Sequence, residues 1–268
     1  MPELPEVEIA ARRLRESLAG RRIAAVRIVD PKLLANAAPA ALAAALEGSV
    51  IDRVERRGKY LLLHAGSGPV LLVHLRMTGR FLFVEQAPET PGHPFRCLFQ
   101  LAEGGVALFR DPRRFARFEL REDVGGAPLA ALGPDALVEP PDAARLGQLV
   151  AGRRQSIKAL LMDQRRLAGL GNICAIEILY RAAIAPDRPA GELAPGELAS
   201  LAEIFPAYLE WAIARQERRE LVYLGERGAE NVFTIYRRRG EPGPRCGTAI
   251  ARRVLAGRGT YFCPGCQR

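Results

Sequence analysis

Lysines, cysteines and long apolar stretches are scarce in this chain. Only three of its 39 basic residues are lysines, Lys32, Lys59 and Lys158, and the remaining 36 are arginines. Because the two side chains are not interchangeable chemically, a lysine in so arginine-rich a chain indicates a position whose function requires an ammonium group. No run of about 18 apolar residues occurs, so a membrane-spanning helix is not expected. The N-terminus has no basic region followed by an apolar stretch, which argues against a secretory signal.

Five cysteines in 268 residues do not form the pattern of a disulfide framework. The sequence also lacks a repeat of fixed period. We therefore expect a cytoplasmic protein with reduced thiols, which would associate with the nucleoid if it binds DNA. We also expect it to be a monomer.

The charge of the chain is strongly positive. Its 39 basic residues outnumber 30 acidic ones, which gives a formal net charge of +9 and a pI of about 9.8. Such an excess suits a polyanionic partner, because neutralised phosphates release counterions and supply affinity that is independent of sequence. An ordinary basic enzyme has the same composition, so the motifs must decide.

The residues behind Met1 place a potential nucleophile beside two carboxylates. Bacterial chains usually lose Met1 when a small residue follows, which would leave Pro2 with a secondary amine. Such an amine can attack a sugar carbon and form an iminium. Glu3 and Glu6 are near enough in sequence to act as general acid or base. The same residues also favour the start of a helix, since proline and acidic residues suit its first turn.

The first part of the chain has the pattern of a helix followed by a β-sandwich. Apolar residues at helical spacing cover 4–19, and a short alanine-rich helix is predicted at 39–47. Eight short β-branched or aromatic runs, separated by glycines and prolines, predict the sandwich. The predicted strands are Ile23–Ile28, Val50–Val54, Tyr60–His64, Val70–Leu75, Arg80–Val84, Cys97–Leu101, Val106–Arg110 and Phe115–Leu120. This domain is expected to cover 1–121.

Helices and a hairpin are predicted in the rest of the chain. Residues 122–142 are rich in Gly, Pro and Ala and resemble a linker. A helix–two-turn–helix domain is predicted over 143–231, and a tail of strands and turns over 232–268. The clearest helical segments are Leu146–Ala151, Ile157–Leu161, Ile173–Ala182 and Leu198–Arg215. The fold class is therefore predicted to be α+β, with a zinc-finger-like β-hairpin at its end.

Two loops of the predicted sandwich carry side chains that suit distorted DNA. Met77 is a flexible apolar wedge, Arg113 a planar cation and Phe115 a flat aromatic ring. Enzymes that flip a nucleotide fill the void with such side chains. Lys59 lies at a turn entering a strand, where a cation can meet a phosphate or a damaged base. The alternative is that Met77 and Phe115 belong to the sandwich core and Lys59 is a solvated strand-end residue.

A Gly-x-Gly-Asn sequence lies between two predicted helices, at 169–172. The tight turn that it predicts has backbone N–H groups that can reach a phosphate. Lys158, on the preceding helix, and Asn172 are expected beside this phosphate.

The C-terminal cysteines form an incomplete metal pattern. Cys246, Cys263 and Cys266 would be three ligands of a structural zinc site built from two Cys-x2-Cys pairs, but Gly243 occupies the fourth position. All three histidines lie far upstream. Two interpretations remain open: an outside ligand such as Glu241 or water closes the site, or the hairpin folds without metal, which we prefer on physical grounds.

From Pro2 to Gln267, the order of these motifs resembles that of the formamidopyrimidine-DNA glycosylase family, bifunctional base-excision enzymes that share a fold with endonuclease VIII. Leu4 favours the formamidopyrimidine branch. The resemblance implies excision of oxidised purines (8-oxoguanine and formamidopyrimidines) from double-stranded DNA through a Schiff base, followed by β,δ-elimination. It implies no redox cofactor and no catalytic metal, and it leaves structural zinc undecided.

The resemblance also implies roles for individual residues. Pro2 would be the nucleophile at C1′, and Glu3 the acid/base that opens the sugar, with Glu6 in a supporting position. Lys59 would donate the proton for β-elimination, and Arg258 would serve δ-elimination and phosphate binding. The implied DNA contacts are His93, Arg113, Arg153, Lys158 and Asn172, with Met77, Arg113 and Phe115 as the void-filling trio.

Departures from the family pattern keep two other functions open. The long loop that caps a flipped 8-oxoguanine is shortened to about Gly225–Asn231, which favours an endonuclease VIII-like enzyme for oxidised pyrimidines. Cys174 stands where Tyr is usual, Ile176 replaces a small or polar residue, and Ala116 replaces Gly.

A non-catalytic binder of damaged DNA is the second alternative. It predicts an eroded N-terminus or a missing Lys59, and neither is seen.

Overall fold

Two compact units make up the chain. The computed structural model describes residues 2–66, 68–89, 91–217, 223–224, 226 and 228–268. The first unit comprises 1–130 and 217–229, and the second comprises 131–216 and 230–268. Within the described ranges, no helix has both the length and the apolar character needed to cross a membrane.

The first unit is a β-sandwich preceded by a helix. Its helices are α1 (Leu4–Leu18) and α2 (Pro39–Leu46), with a short 3₁₀ turn at Pro31–Leu33; a second 3₁₀ turn, Leu129–Ala131, spans the point in the sequence where the first unit ends. Its strands are β1 (Ile23–Ile28), β2 (Ile51–Arg57), β3 (Tyr60–Ala65), β4 (Val70–His74), β5 (Arg80–Val84), β6 (Phe95–Leu101), β7 (Val106–Arg110) and β8 (Arg117–Arg121). They form two antiparallel sheets, in the orders β1-β6-β7-β5 and β2-β3-β4-β8. The predicted helix and eight-stranded sandwich are confirmed.

The core of the first unit lies between the sheets and under α1. Val7, Ala11, Leu14 and Leu18 recur at helical spacing and pack into this core, which fixes the face that α1 turns inward. Phe109 meets Phe118 edge to face, with ring centres 4.7 Å apart. Each fully buried side chain of this size contributes roughly 1.5–3 kcal/mol. The packing therefore holds the N-terminal end of α1 firmly against the sandwich.

The second unit combines helices with the hairpin. Its helices are α3 (Ala143–Val150), α4 (Ile157–Leu161), α5 (Asn172–Arg181) and α6 (Pro195–Gln216), with a 3₁₀ turn at Ala190–Glu192. Its strands are β9 (Ala251–Leu255) and β10 (Arg258–Phe262), which pair antiparallel. Asp142 and Ser156 cap α3 and α4 by accepting backbone N–H groups. The predicted helical segment and hairpin are confirmed, and α6 begins three residues earlier than predicted because Pro195 suits a first turn.

A buried carboxylate joins α5 to the segment that leads into the hairpin. Glu177 is fully buried and accepts the backbone N–H groups of Thr234, Ile235 and Tyr236 at 2.9, 2.9 and 3.0 Å. Charge-assisted bonds of this kind offset the cost of burying the carboxylate. Ile176 on the same helix lies in an apolar cluster with Cys263 of the hairpin. The hairpin is thus anchored on α5 by both polar and apolar contacts.

Candidate active site

Pro2, Glu3 and Glu6 form a buried cluster at the start of α1. Glu3 is 1% exposed, and its N–H donates to Glu6 Oε2 at 2.9 Å, while its own carboxylate accepts the N–H of Glu6. This reciprocal capping box satisfies donors that the first helical turn would otherwise leave unbonded. Burial, reinforced by the charge of Glu3, raises the pKa of Glu6 to about 7. The pair can therefore hold a proton near neutral pH, close to Pro2.

A buried ion pair connects α1 to the turn that carries Lys59. Arg56 Nε donates to Glu8 Oε2 at 2.7 Å, and Arg56 Nη1 donates to the carbonyl of Gly58 at 3.0 Å. Gly58 has φ of +56°, a conformation that favours glycine, and it brings the chain from β2 into β3. Lys59 follows it and is half-buried. The helix bearing Pro2 and Glu3 and the turn bearing Lys59 are therefore positioned by one network.

His74, to which the sequence analysis gave no role, pairs with Tyr60 across β3 and β4. Their rings meet edge to face with centres 4.7 Å apart. The Nδ1 atom of His74 accepts the N–H of Arg76 at 3.0 Å, which places the ring hydrogen on Nε2. Burial, with smaller contributions from the charges of Arg76 and Lys59, lowers the pKa of His74 to about 3. The site thus contains a neutral imidazole donor next to Lys59, which only the strand pairing could have revealed.

The loops that carry the predicted void-filling side chains are held together by Asp111. This residue is 1% exposed, and its carboxylate accepts the hydroxyl of Thr78 and, at 2.8 Å, the N–H of Ala116. Phe115 is 47% exposed, and the guanidinium carbon of Arg113 lies 4.9 Å from the centre of its ring. The alternative that placed Phe115 in the sandwich core is therefore wrong, because its neighbour Ala116 takes the buried position instead.

Met77 and His93 lie on the same part of the sandwich. Met77 precedes Thr78 and is half-buried. His93 is exposed, and its Nε2 lies 3.4 Å from the carbonyl of Pro112, directly before Arg113. Both therefore join the surface formed by the Thr78 and Asp111 loops.

The short segment predicted to replace the base-capping loop, Gly225–Asn231, is described only in part, since Gly225 and Arg227 lie outside the described residues. Immediately before it, the hydroxyl of Tyr223 donates to the carbonyl of Gly79 at 2.6 Å. Glu226 pairs with the guanidinium of Arg80, which also lies 5.0 Å from the centre of the Tyr223 ring. These contacts bind the segment to the residues that follow Met77.

In the second unit, Lys158 and Asn172 meet strand β10. Lys158 is fully buried, and its Nζ donates to Thr260 Oγ1 at 2.7 Å. Asn172 Nδ2 donates to the carbonyl of Gly259 at 3.1 Å, while none of the described residues bonds its buried Oδ1. Arg258 is exposed at the start of β10. Lys158, expected beside a phosphate, is thus enclosed within the protein, because the hairpin covers α4 at this point.

Arg153 is exposed in the turn between α3 and α4. The carbonyl of Arg153 accepts the N–H of Gly191 at 2.9 Å, so the backbone of this turn is fixed while the side chain faces solvent.

The three C-terminal cysteines lie together as the spacing predicts. Their Sγ atoms are all within 4.8 Å of one another, and among the described residues no further His, Cys, Asp or Glu joins them. Glu241, considered as a fourth ligand, instead pairs with Arg238 at 2.9 Å. The donor set therefore fits a zinc ion held by three protein thiolates and does not fit a closed site of four cysteines.

Comparison with known proteins gives one consistent family along the chain. Family models match for the formamidopyrimidine-DNA glycosylase N-terminal domain at 1–118, the H2TH domain of the same enzyme at 132–220, and the zinc finger found in FPG and IleRS at 240–268. The formamidopyrimidine-DNA glycosylase of Symbiobacterium thermophilum is 42% identical over 274 residues, covering 100% of this chain and 89% of that protein. The one from a Roseiflexus species is 39% identical over the full length of both chains.

Solved structures agree with these relatives. The Lactococcus lactis Fpg bound to DNA with an abasic site matches with a TM-score of 0.89 at 31% identity, covering 100% of both chains. The same enzyme bound to DNA with an oxidised pyrimidine matches with a TM-score of 0.88 at 31% identity and equal coverage.

Proposed function

The chain belongs to the formamidopyrimidine-DNA glycosylase family, and from this premise we propose that it excises oxidised purines from double-stranded DNA and cleaves the strand at the resulting abasic site. The observation that carries the proposal is the buried Pro2–Glu3–Glu6 cluster on a helix that Arg56 connects to the turn of Lys59. A non-catalytic binder needs neither the buried carboxyl pair nor this connection.

The first step uses the amine that removal of Met1 exposes at Pro2. Its nitrogen bonds to C1′ while the bond between C1′ and the damaged base breaks. The base leaves with the electron pair and is neutralised by the proton that the Pro2 nitrogen loses. Glu3 protonates the ring oxygen O4′ as the sugar opens to an iminium. The pKa of about 7 at Glu6 supports this role, because it keeps a proton within the carboxyl pair at neutral pH.

Strand cleavage follows from the iminium. The iminium acidifies C2′, so a proton leaves from C2′ and the bond to the 3′-phosphate breaks. A second elimination, which removes the proton on C4′, breaks the bond to the 5′-phosphate and leaves a one-nucleotide gap. Lys59 transfers protons during the first elimination, and Arg258 binds phosphate during the second. No metal or redox group takes part in these steps.

The exposed side chains of the sandwich loops suit DNA from which a base has been flipped. Phe115 and Arg113 are already stacked, so little conformational entropy is lost when they enter the duplex. Met77 adds an apolar wedge, and His93 adds a polar contact beside Arg113. Together they would fill the void and hold the base opposite the lesion.

The second unit would bind phosphates through exposed groups. Arg153 and Arg258 supply cations, and the N-terminus of α5 offers backbone N–H groups together with Asn172. Lys158, expected as a phosphate clamp, is better suited to positioning the hairpin, because its ammonium is enclosed and bonded to Thr260. The three thiolates of the hairpin would hold a zinc ion that takes no part in the chemistry at the sugar.

Oxidised pyrimidines are a second candidate substrate. The segment that would cover a flipped purine is short, at about Gly225–Asn231, and Glu226 within it pairs with Arg80. A solved Lactococcus lactis relative was captured on DNA with an oxidised pyrimidine. We therefore extend the proposal to pyrimidine lesions as a second class of substrate.

Trapping of the covalent intermediate tests the proposal. Purified protein, with Met1 removal checked by mass spectrometry, is incubated with a duplex containing 8-oxoguanine opposite cytosine and treated with borohydride. The expected product is a protein–DNA adduct that maps to Pro2. The matched control carries an uncleaved N-terminal extension, which turns the Pro2 nitrogen into an amide and should give no adduct. Adducts that form only with abasic or oxidised-pyrimidine duplexes would show that oxidised purines are not the substrates. The absence of an adduct with every duplex would favour a non-catalytic DNA-binding protein.

A further inference from the structure

The hairpin contains two turns of the same geometry, although only one carries both of its cysteines. In the second turn the N–H of Gln267 donates to the carbonyl of Cys263 at 3.1 Å. In the first turn the N–H of Gly247 donates to the carbonyl of Gly243 at 2.8 Å. Gly243 therefore occupies the position that corresponds to Cys263. The turn that presents metal ligands is retained even though one ligand is missing.

Gly243 faces the cysteine cluster. A Cβ atom built on Gly243 would lie 3.6 Å from Cys263 Sγ, so a side chain there would point at the sulfur atoms. The φ angle of Gly243 is not in the positive region, which means that the backbone does not demand glycine. The added atom would also lie 3.0 Å from the carbonyl of Thr248 and 3.2 Å from Ile250 Cδ1, which would need to move by a few tenths of an ångström.

The three thiols are arranged for a common ion. Cys246 Sγ lies 3.3 Å from Cys263 Sγ, and Cys266 Sγ is within 4.8 Å of both. Cys263 is fully buried, whereas Cys246 is exposed. An ion bound by these thiolates would therefore be held by Cys263 on its buried side and be accessible to solvent on the side of Cys246. Among the described residues that can ligate, none completes the set, because Glu241 is engaged with Arg238.

We propose that Cys246, Cys263 and Cys266 bind one zinc ion as thiolates and that the fourth coordination position, beside Gly243, is open to a small exogenous ligand. Structural zinc sites are normally closed by four protein ligands, whereas an ion with three keeps a position for water or another small molecule. Thiolates favour soft metals, and a soft or nitrogenous ligand such as a low-molecular-weight thiol or an imidazole suits the remaining position. The hairpin would then combine a structural turn with an exchangeable coordination site. This inference does not depend on the glycosylase chemistry.

Cobalt substitution of the whole, reduced protein tests the open position directly. Co²⁺ replaces zinc in tetrahedral thiolate sites and reports its ligands through visible absorption bands and a thiolate charge-transfer band. We expect one equivalent of cobalt to bind, to be displaced by zinc, and to change its visible bands when imidazole or a small thiol is added. The exposed-ligand variant Cys246→Ser should reduce the charge-transfer intensity by about one third, since one of three thiolates is lost.

The matched variant is Gly243→Cys, which supplies the missing thiolate. Its cobalt bands should indicate four sulfur ligands and should not respond to imidazole, and its zinc should be released to a chelator more slowly than that of the natural sequence. The proposal is overturned if the reduced natural protein binds neither cobalt nor zinc, or if a Cys246–Cys263 disulfide forms in place of metal binding. It is also overturned if the bands of bound cobalt ignore added ligands. This last measurement needs no variant, so it decides even if Gly243→Cys misfolds.

Discussion

The N-terminal cluster and the C-terminal hairpin both use short, turn-forming sequences to bring reactive side chains together, but they differ in how much else those side chains do. Glu3 and Glu6 cap α1 and also form the proposed acid/base pair, so truncating either side chain removes a helix cap together with a proton-carrying group. In the hairpin, backbone hydrogen bonds form the turn at Gly243. A cysteine at that position would add a metal ligand but is not needed for the turn. A ligand can therefore be lost from the hairpin without loss of its geometry, whereas truncating a glutamate of the N-terminal cluster would also remove a cap of α1.

The largest expected effect comes from Glu3→Gln. Glutamine can still accept the N–H of residue 6, so the capping box is kept while the proton donor is lost. We expect base excision to slow by roughly 10²–10⁴-fold, the usual contribution of general acid–base catalysis. Single-turnover excision of 8-oxoguanine measures it. A preformed abasic site, which needs no base to leave, should be processed with a smaller loss, and equal losses on both substrates would contradict the assigned role.

Arg56→Met tests whether the buried ion pair positions the turn of Lys59. Its removal leaves the buried carboxylate of Glu8 with weaker partners and should lower the free energy of unfolding by about 3 kcal/mol. The matched control is Arg15→Met, which removes a more exposed partner of the same carboxylate at 3.4 Å together with the bond from Arg15 Nε to the carbonyl of Val54, and it should cost about 2 kcal/mol or less. Urea unfolding gives both values.

The same pair of variants separates stability from positioning. At a temperature where both are folded, β-elimination at an abasic site should be slower in Arg56→Met than in Arg15→Met, because only Arg56 bonds the carbonyl of Gly58. Equal elimination rates would show that the turn of Lys59 keeps its place without this contact.

Glu6→Gln should change how stability depends on pH. Folding raises the pKa of Glu6 from 4.5 to about 7. The stability that Glu6 contributes is therefore complete below pH 4.5, the pKa in the unfolded chain, and is lost as the pH rises through 7. Glutamine has no such loss, and its Oε1 can still accept the N–H of Glu3. The free energy of unfolding of the variant, relative to that of the natural sequence, should therefore increase as the pH rises from 4.5 to 7. The total increase should be up to about 3 kcal/mol. Denaturant unfolding at several pH values checks this, and a constant difference would contradict the raised pKa.

Local patterns predicted the elements of the fold well, but side-chain environments that depend on distant segments could not be predicted. The bounds of β1, β5 and β7 follow directly from short β-branched or aromatic runs, and α4 from its cap and apolar spacing. The cysteine cluster and its missing ligand could be predicted because they depend only on spacing. His74 was missed because its environment is created by pairing with β3.

Lys158 shows the same limit more clearly. Its place on α4 could be predicted, but its burial arises from Thr260, 102 residues further along the chain. No local pattern contains that information.

The smallest expected effect distinguishes this buried lysine from an exposed arginine. Arg153→Ala should lower the slope of log affinity against log salt by about 1, as expected when one phosphate contact is lost. Lys158→Met should leave this slope unchanged, because the ammonium that it removes is bonded to Thr260 and enclosed by protein. Salt titrations of duplex binding for both variants and the natural sequence provide the measurement, and Thr260→Val should resemble Lys158→Met if the two side chains act as a pair. A slope lowered equally by Lys158→Met and Arg153→Ala would show instead that Lys158 leaves its partner and binds a phosphate in the complex.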